Sequence, residues 1–411
     1  MKVWMARLGP GLMLAAAAVG VSHLVQSTRA GADFGLSFVW LVILISFLKY
    51  PAFRFAVDYA SLTNHSLVYA YSKLGRLPMY WLLVGFAVDM FVATSAVALV
   101  TAGLLISVFK LPFSGPHVAI AITVLSAVIL LNGKYAKAER IIKFLVLSFS
   151  VLAIIAMLLA LPMLGSSDRD LFAAITPSQS LAVFVIAIAG WMPMPMTGSV
   201  FLSMWAREKK TVGGDAIDHR SAIADLRFGW VLTVVLAISF MIMGTAILFQ
   251  VDRVVPASAG AFATELLSIF TSIIGQWSYP VIAAAAIAVM WSTVLALMDA
   301  LPRVTSRLVD CMSGRAEQAT TKYTTLLVVQ TAGVTLIMLL LLSSFGTFID
   351  FATSAGFITA PALAYYNYRA VTSAEVASQY KPSGVLVVWH WAGFAALAAF
   401  AIAFVVARIG F

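Results

Sequence analysis

Long apolar runs separated by short basic stretches organise this chain from end to end. A helix needs about 20 mostly apolar residues to cross the hydrocarbon core of a bilayer. Charge-poor runs of that kind stand near residues 8–28, 34–57, 79–108, 114–132, 142–164, 179–204, 228–250, 278–300, 323–343, 346–368 and 384–408. The pattern predicts an all-α polytopic membrane protein with eleven transmembrane helices. Between Tyr323 and Tyr368 the only charge is Asp350, and that stretch divides at Ser343-Ser344-Phe345-Gly346. Residues Pro256 to Gly275 read as an interfacial or amphipathic connector.

Composition removes the main alternatives. The 411 residues are 62% hydrophobic and 10% charged, where a soluble domain carries about a quarter charged residues. A water-soluble enzyme cannot hide that much apolar surface, and disorder, collagen and coiled coil fail on the same numbers. The single cysteine, Cys311, excludes a disulfide framework and a CxxC metal site. HExxH, GxSxG, GxGxxG and P-loop motifs are absent, so no enzyme activity and no cofactor are expected, and ATP-driven transport would need another subunit.

The net charge of +9 changes meaning once the basic residues are sorted by side. With the N-terminus in the cytoplasm, only Arg29, Lys110, Arg169, Arg253 and Arg408 of the 26 Lys and Arg fall on the far side. Lys49 and Arg54, at the end of the second run, count with the cytoplasmic majority. This is the positive-inside bias of a membrane protein, and it needs no nucleic-acid partner. The expected location is a bacterial inner (plasma) membrane, with the C-terminus on the opposite side. Lys2 and Arg7 ahead of an apolar run also fit a secretory signal. Cleavage would leave ten passes, so the run is read as the first transmembrane segment.

Two segments are not plain apolar helices. The first carries Gly20-Val21-Ser22-His23 in mid-membrane, followed by Gln26, Ser27, Thr28 and Arg29. The sixth carries Ala189-Gly190-Trp191-Met192-Pro193-Met194-Pro195-Met196, with two prolines that each remove a backbone donor. Freed backbone groups at that depth survive only where they line a cavity or are otherwise satisfied. Segments one and six are five apart, the spacing of two five-helix repeats of opposite orientation plus one extra helix. Paired interruptions in two halves point to a transporter's central site. The chain therefore reads as one membrane transport domain over 1–411, with repeat one about 8–164, repeat two about 179–368 and the extra helix about 384–408. Channel, receptor and scaffold are the remaining classes, and the paired breaks favour alternating access over a channel.

Further motifs carry a resemblance. Gly9-Pro10-Gly11, Arg29-Ala30-Gly31-Ala32-Asp33-Phe34-Gly35, Tyr135 to Lys143 (YAKAERIIK) and Met192-Pro193 are similar to four signatures of the NRAMP divalent-metal transporters. These are the GPG opening its first helix, its AGAxxG, the start of its fifth helix and its sixth-helix MPH. The resemblance implies a leucine-transporter-type inverted-repeat fold with a substrate held between unwound helices one and six, and metal entry coupled to protons. The chain departs from the family pattern at the site. The first-helix Asp-Pro-Gly-Asn reads Gly20-Val21-Ser22-His23, so the ligating Asp is lost. Ala189 and Met192 retain the sixth-helix Ala-x-x-Met, Met194 replaces a His linked to proton movement, and of the third-helix acids only Asp89 remains. The sequence thus resembles a divergent branch of the family.

The candidate substrate site is Gly20, Val21, Ser22, His23 and Gln26 facing Ala189, Trp191, Met192 and Met194. His23 and Met192 are the candidate metal ligands. Imidazole and thioether suit soft or borderline ions of the Mn or Fe kind and not Mg or Ca, which take oxygen. The competing partner is a small organic solute in an adaptable, partly apolar pocket, and a third reading makes His23 and the methionines purely structural. For coupling the candidates are His23, Asp89 and Arg29. Asp89 is either a proton-relay acid or the partner of a buried cation, and Arg29 is its natural counter-charge. Two relay elements are missing, so weak or absent proton coupling is expected. Arg54 with Asp58 and Asp299 with Arg303 read as structural i,i+4 pairs, and His390 as an interfacial residue.

Overall fold

A computed structural model describes residues 9–18, 20–132, 135–165, 170–172, 178–213, 218–249, 258–315, 321–340 and 345–409. Those residues are helical with no strand. The helices are α1 (Pro10–Ala18), α2 (Thr28–Phe34), α3 (Val39–Thr63), α4 (Leu67–Leu74), α5 (Arg76–Val88) and α6 (Thr94–Phe109). They continue as α7 (Gly115–Leu131), α8 (Tyr135–Ala160), α9 (Gln179–Trp191), α10 (Gly198–Gly213), α11 (His219–Ile247) and α12 (Ala259–Ile274). The last are α13 (Tyr279–Met312), α14 (Tyr323–Leu340), α15 (Phe345–Ala355), α16 (Ala360–Val371) and α17 (Val385–Ile409). Single π-helical turns at Ser22–Ser27 and Asp89–Ala93 link α1 to α2 and α5 to α6.

Helix stands at each of the eleven apolar runs. Among the described residues eight spans are long and apolar enough to cross a membrane. The remaining three runs are α7 and the two interrupted segments. The expected connector is α12, which buries Phe262, Leu266 and Phe270 beneath α6. The division at Ser343-Ser344 lies outside the described residues, as do the side chains of Tyr135 to Lys143.

Small residues let the first segment lie against α11 with almost no gap. A Cβ on Gly11 would fall 1.9 Å from the Asp225 carbonyl oxygen, and one on Gly31 2.1 Å from that of Met241. The reverse holds too, since a Cβ on Gly229 would fall 2.0 Å from the Gly11 carbonyl. Asp225 also caps α1 from outside, because its carboxylate accepts from the Gly9 N–H at 3.0 Å and the Gly11 N–H at 2.8 Å. The first N–H groups of any helix lack partners inside it. Here a neighbouring helix supplies them.

The extra helix docks by a similar logic. Pro51 inside α3 has no N–H for the Phe47 carbonyl one turn back. The indole N–H of Trp389 donates to that carbonyl at 2.8 Å, and its ring stacks on Phe47 at 4.2 Å. Gly393 lies so close to α3 that a Cβ there would meet the Leu48 carbonyl at 2.1 Å.

Gly31→Ala should lower the thermal unfolding midpoint of the detergent-solubilised protein, with overpacking of this kind costing about 1–3 kcal/mol. Gly165→Ala, where nothing lies within 4 Å of the added carbon, should leave the midpoint unchanged.

Candidate functional site

The sixth segment breaks where its sequence removes donors. Ser178 caps α9 by accepting from the Leu181 N–H at 3.1 Å. The last regular bond of the helix runs from the Met192 N–H to the Ile188 carbonyl at 3.0 Å. In an unbroken helix the Ala189 carbonyl would accept from residue 193, which is a proline. Met192 is extended, the Met192–Pro193 bond is cis, and the chain stays out of helix through Pro195. It re-enters helix where the Gly198 N–H donates to the Pro195 carbonyl at 2.9 Å.

The carbonyls freed by this opening converge on one side chain. Lys49 Nζ donates to the carbonyls of Ala189 at 2.7 Å, Gly190 at 2.8 Å, Met192 at 2.9 Å and Met194 at 3.3 Å. Lys49 was expected at a cytoplasmic helix end. It is instead fully buried within α3, because the unwound backbone supplies the acceptors that water would otherwise provide.

The first segment breaks more gently. The Ala18 carbonyl accepts from both the Gly20 N–H at 2.8 Å and the Ser22 hydroxyl at 3.0 Å, and the π turn follows. His23 bonds α11 and Ser22. Its Nε2 donates to the Thr233 carbonyl of α11 at 2.9 Å, and its Nδ1 lies 2.9 Å from the Ser22 hydroxyl.

Between the two breaks lies a cavity of about 40 Å³, room for an ion with one or two waters at about 10–15 Å³ each. Gly20, Val21 and Ser22 form one wall, and Trp191, Pro193 and Met194 the other. Asp89, Phe201 and Thr293 complete it. Asp89 opens the second π turn, a device often found at functional sites. Its carboxylate is buried and accepts a short hydrogen bond from the hydroxyl of Thr197, just beyond the sixth-segment break. Among the described residues no cation pairs with it.

The sequence-predicted site is therefore brought together in part. Gly20, Val21, Ser22, Asp89, Trp191 and Met194 share the cavity. Ala189 and Met192 instead give their carbonyls to Lys49, and the Met192 side chain is buried in the apolar core. The expected His23–Met192 ligand pair does not face one cavity, because the imidazole is committed to α11. Arg29 is not the counter-charge of Asp89. Its Nη1 lies 2.7 Å from Asp350 Oδ1 and its guanidinium 5.0 Å from the Phe184 ring. Gln26 joins that pair, with Nε2 donating to Asp350 at 3.1 Å and to Thr353 at 3.0 Å.

Lys49, Thr197 and Asp350 were missed. The available signal for Lys49 was its place inside the apolar run 34–57 rather than beyond it. Among the described residues no three His, Cys, Asp or Glu form a metal-binding group. The two i,i+4 pairs form, Arg54–Asp58 at 3.4 Å and Arg303–Asp299 at 2.5 Å. His390 is buried against Phe55 and Tyr368.

A family model described as natural resistance-associated macrophage protein-like matches residues 11–407. The chain belongs to the Nramp family. A relative from Pasteurella multocida (strain Pm70), named Uncharacterized protein PM0681, is 27% identical over 411 residues, covering 98% of this chain and 93% of its own. Among solved structures, the Eremococcus coleocola manganese transporter in complex with an aromatic bis-isothiourea substituted compound superposes with a TM-score of 0.69. It shares 14% identity, with 98% of this chain and 86% of that one covered. MhsT in complex with L-phenylalanine gives 0.67 at 15% identity, covering 97% and 98%. These likenesses establish a leucine-transporter-type fold for this Nramp chain, which is an integral membrane transporter.

The two acids near the breaks should respond differently to neutralisation. Arg29→Gln leaves Asp350 unpaired and should cost about 3–5 kcal/mol, most of it recovered in the Arg29→Gln, Asp350→Asn double variant. Asp89→Asn breaks no ion pair and should leave the melting midpoint near that of the parent while abolishing uptake in sealed liposomes.

Proposed function

We propose that this Nramp protein moves a transition-metal divalent cation by alternating access, held in the cavity between the breaks beside Asp89 and the Met194 side chain. The observation that carries this reading is an ion-sized cavity with one buried carboxylate and, among the described residues, no protein cation against it. An acid inside the membrane that faces a cavity marks an ion or proton pathway. Carboxylate with thioether suits Mn-like or softer ions better than Mg. The ligand set differs from the one expected at His23 and Met192, since Asp89 takes the anionic role of the lost first-helix Asp. The two five-helix repeats and the cytoplasmic N-terminus belong to the same reading, supported by the breaks in segments one and six and by the placement of Lys and Arg.

A second reading has its own observation. Trp191, Phe201, Pro193 and Val97 make much of the wall apolar, and the opened carbonyls are already taken by Lys49. Both features suit a small organic solute.

Uptake by purified protein in liposomes separates the two. For a metal carrier, Mn, Co or Cd should outcompete Mg, and Met194→Ala should weaken the apparent affinity on the order of tenfold or more. Met192→Ala should spare affinity, because that side chain does not reach the cavity. Failure of every divalent ion to bind at millimolar concentration selects the organic solute.

A further inference from the structure

The surroundings of Lys49 have the make-up of an ion site rather than of a salt bridge. All four acceptors are uncharged backbone carbonyls, at 2.7, 2.8, 2.9 and 3.3 Å. Among the described residues no carboxylate pairs with the ammonium, and its other neighbour is the face of Phe357 with the ring centroid at 5.8 Å. Cages of carbonyl oxygens are how proteins replace the hydration shell of a monovalent cation. The end of α9 adds the negative end of a helix dipole. An ammonium has three hydrogens, one fewer than the acceptors gathered around it. The cage is therefore larger than hydrogen-bond pairing alone requires.

We propose that the carbonyls of Ala189, Gly190, Met192 and Met194 form a monovalent-cation site permanently filled by the Lys49 ammonium. A tethered cation stands where a free coupling ion could sit, and the sixth segment stays open without Na⁺ or K⁺. This goes beyond the reading of the solute, because Lys49 does not line the solute cavity. Its test uses protein without solute, so it stands or falls separately.

Thermal stability is measured for the full-length protein in NaCl, KCl and choline chloride at one ionic strength. The parent protein should melt at the same temperature in all three; a clear stabilisation by Na⁺ or K⁺ over choline overturns the proposal. Lys49→Ala removes the cation and opens space for a replacement. In choline it should melt several degrees lower and recover saturably on adding propylammonium, which restores the missing atoms, or K⁺. Lys49→Met keeps the apolar stem without the charge, so it should be destabilised and gain nothing from either ion. A Lys49→Met protein as stable as the parent shows that stem packing suffices and overturns the proposal. So does a Lys49→Ala protein indifferent to all added cations. If Lys49→Ala folds only when expressed and purified with propylammonium, the site is confirmed; if it folds under neither condition, a replaceable cation is excluded.

Discussion

A backbone carbonyl inside a bilayer has no water to turn to, and each one left bare costs several kcal/mol. Two prolines in the sixth segment create such carbonyls within a short stretch, and one ammonium answers four of them. Much of the site follows from that arrangement. With their oxygens held by Lys49, residues of the opened stretch present Trp191, Pro193 and Met194 to the cavity. The restart of helix at Gly198 then sets Thr197 on the Asp89 carboxylate. The unwound stretch thus gives its carbonyls to Lys49, while the Asp89 carboxylate bonds Thr197 just beyond it.

The first segment solves the same problem with neutral groups. Its opening is short, and a backbone N–H with the Ser22 hydroxyl covers the Ala18 carbonyl. His23 completes the repair by reaching α11. The imidazole at the position of a family ligand is thus a structural strut in this conformation. Gly20, at the position of the first-helix Asp, shares its cavity with the Asp89 carboxylate, which comes from a different helix.

What the sequence made legible is what depends on local pattern. Each of the eleven apolar runs contains helix, although α4 lies outside them all, and Gly20, Pro193 and Pro195 marked both breaks, because Gly and Pro weaken a helix interior. Pairings between distant residues were not legible. Nothing along the chain ties Arg29 to Asp350, and its place about two turns beyond the first break wrongly suggested Asp89 for it. Lys49 was misplaced for another reason. With Tyr50-Pro51 and Arg54 behind it, it resembles the polar end of a span. Only the folded helix shows that α3 continues to Thr63 and that the basic residue lies deep within it.

The glycine contacts described for the first segment bear on how such a molecule could move. Gly11 and Gly229 leave no clearance between α1 and α11, Gly31 leaves none farther along, and the Asp225 carboxylate ties the start of α1 to the second turn of α11. Surfaces interlocked backbone to backbone cannot slide or hinge separately. Lys49 likewise bolts α3 to the sixth segment, and α3 packs along both α10 and α11. The two broken segments, α3 and α11 are thus tied to one another by backbone contacts and hydrogen bonds, so a shift of one strains the others.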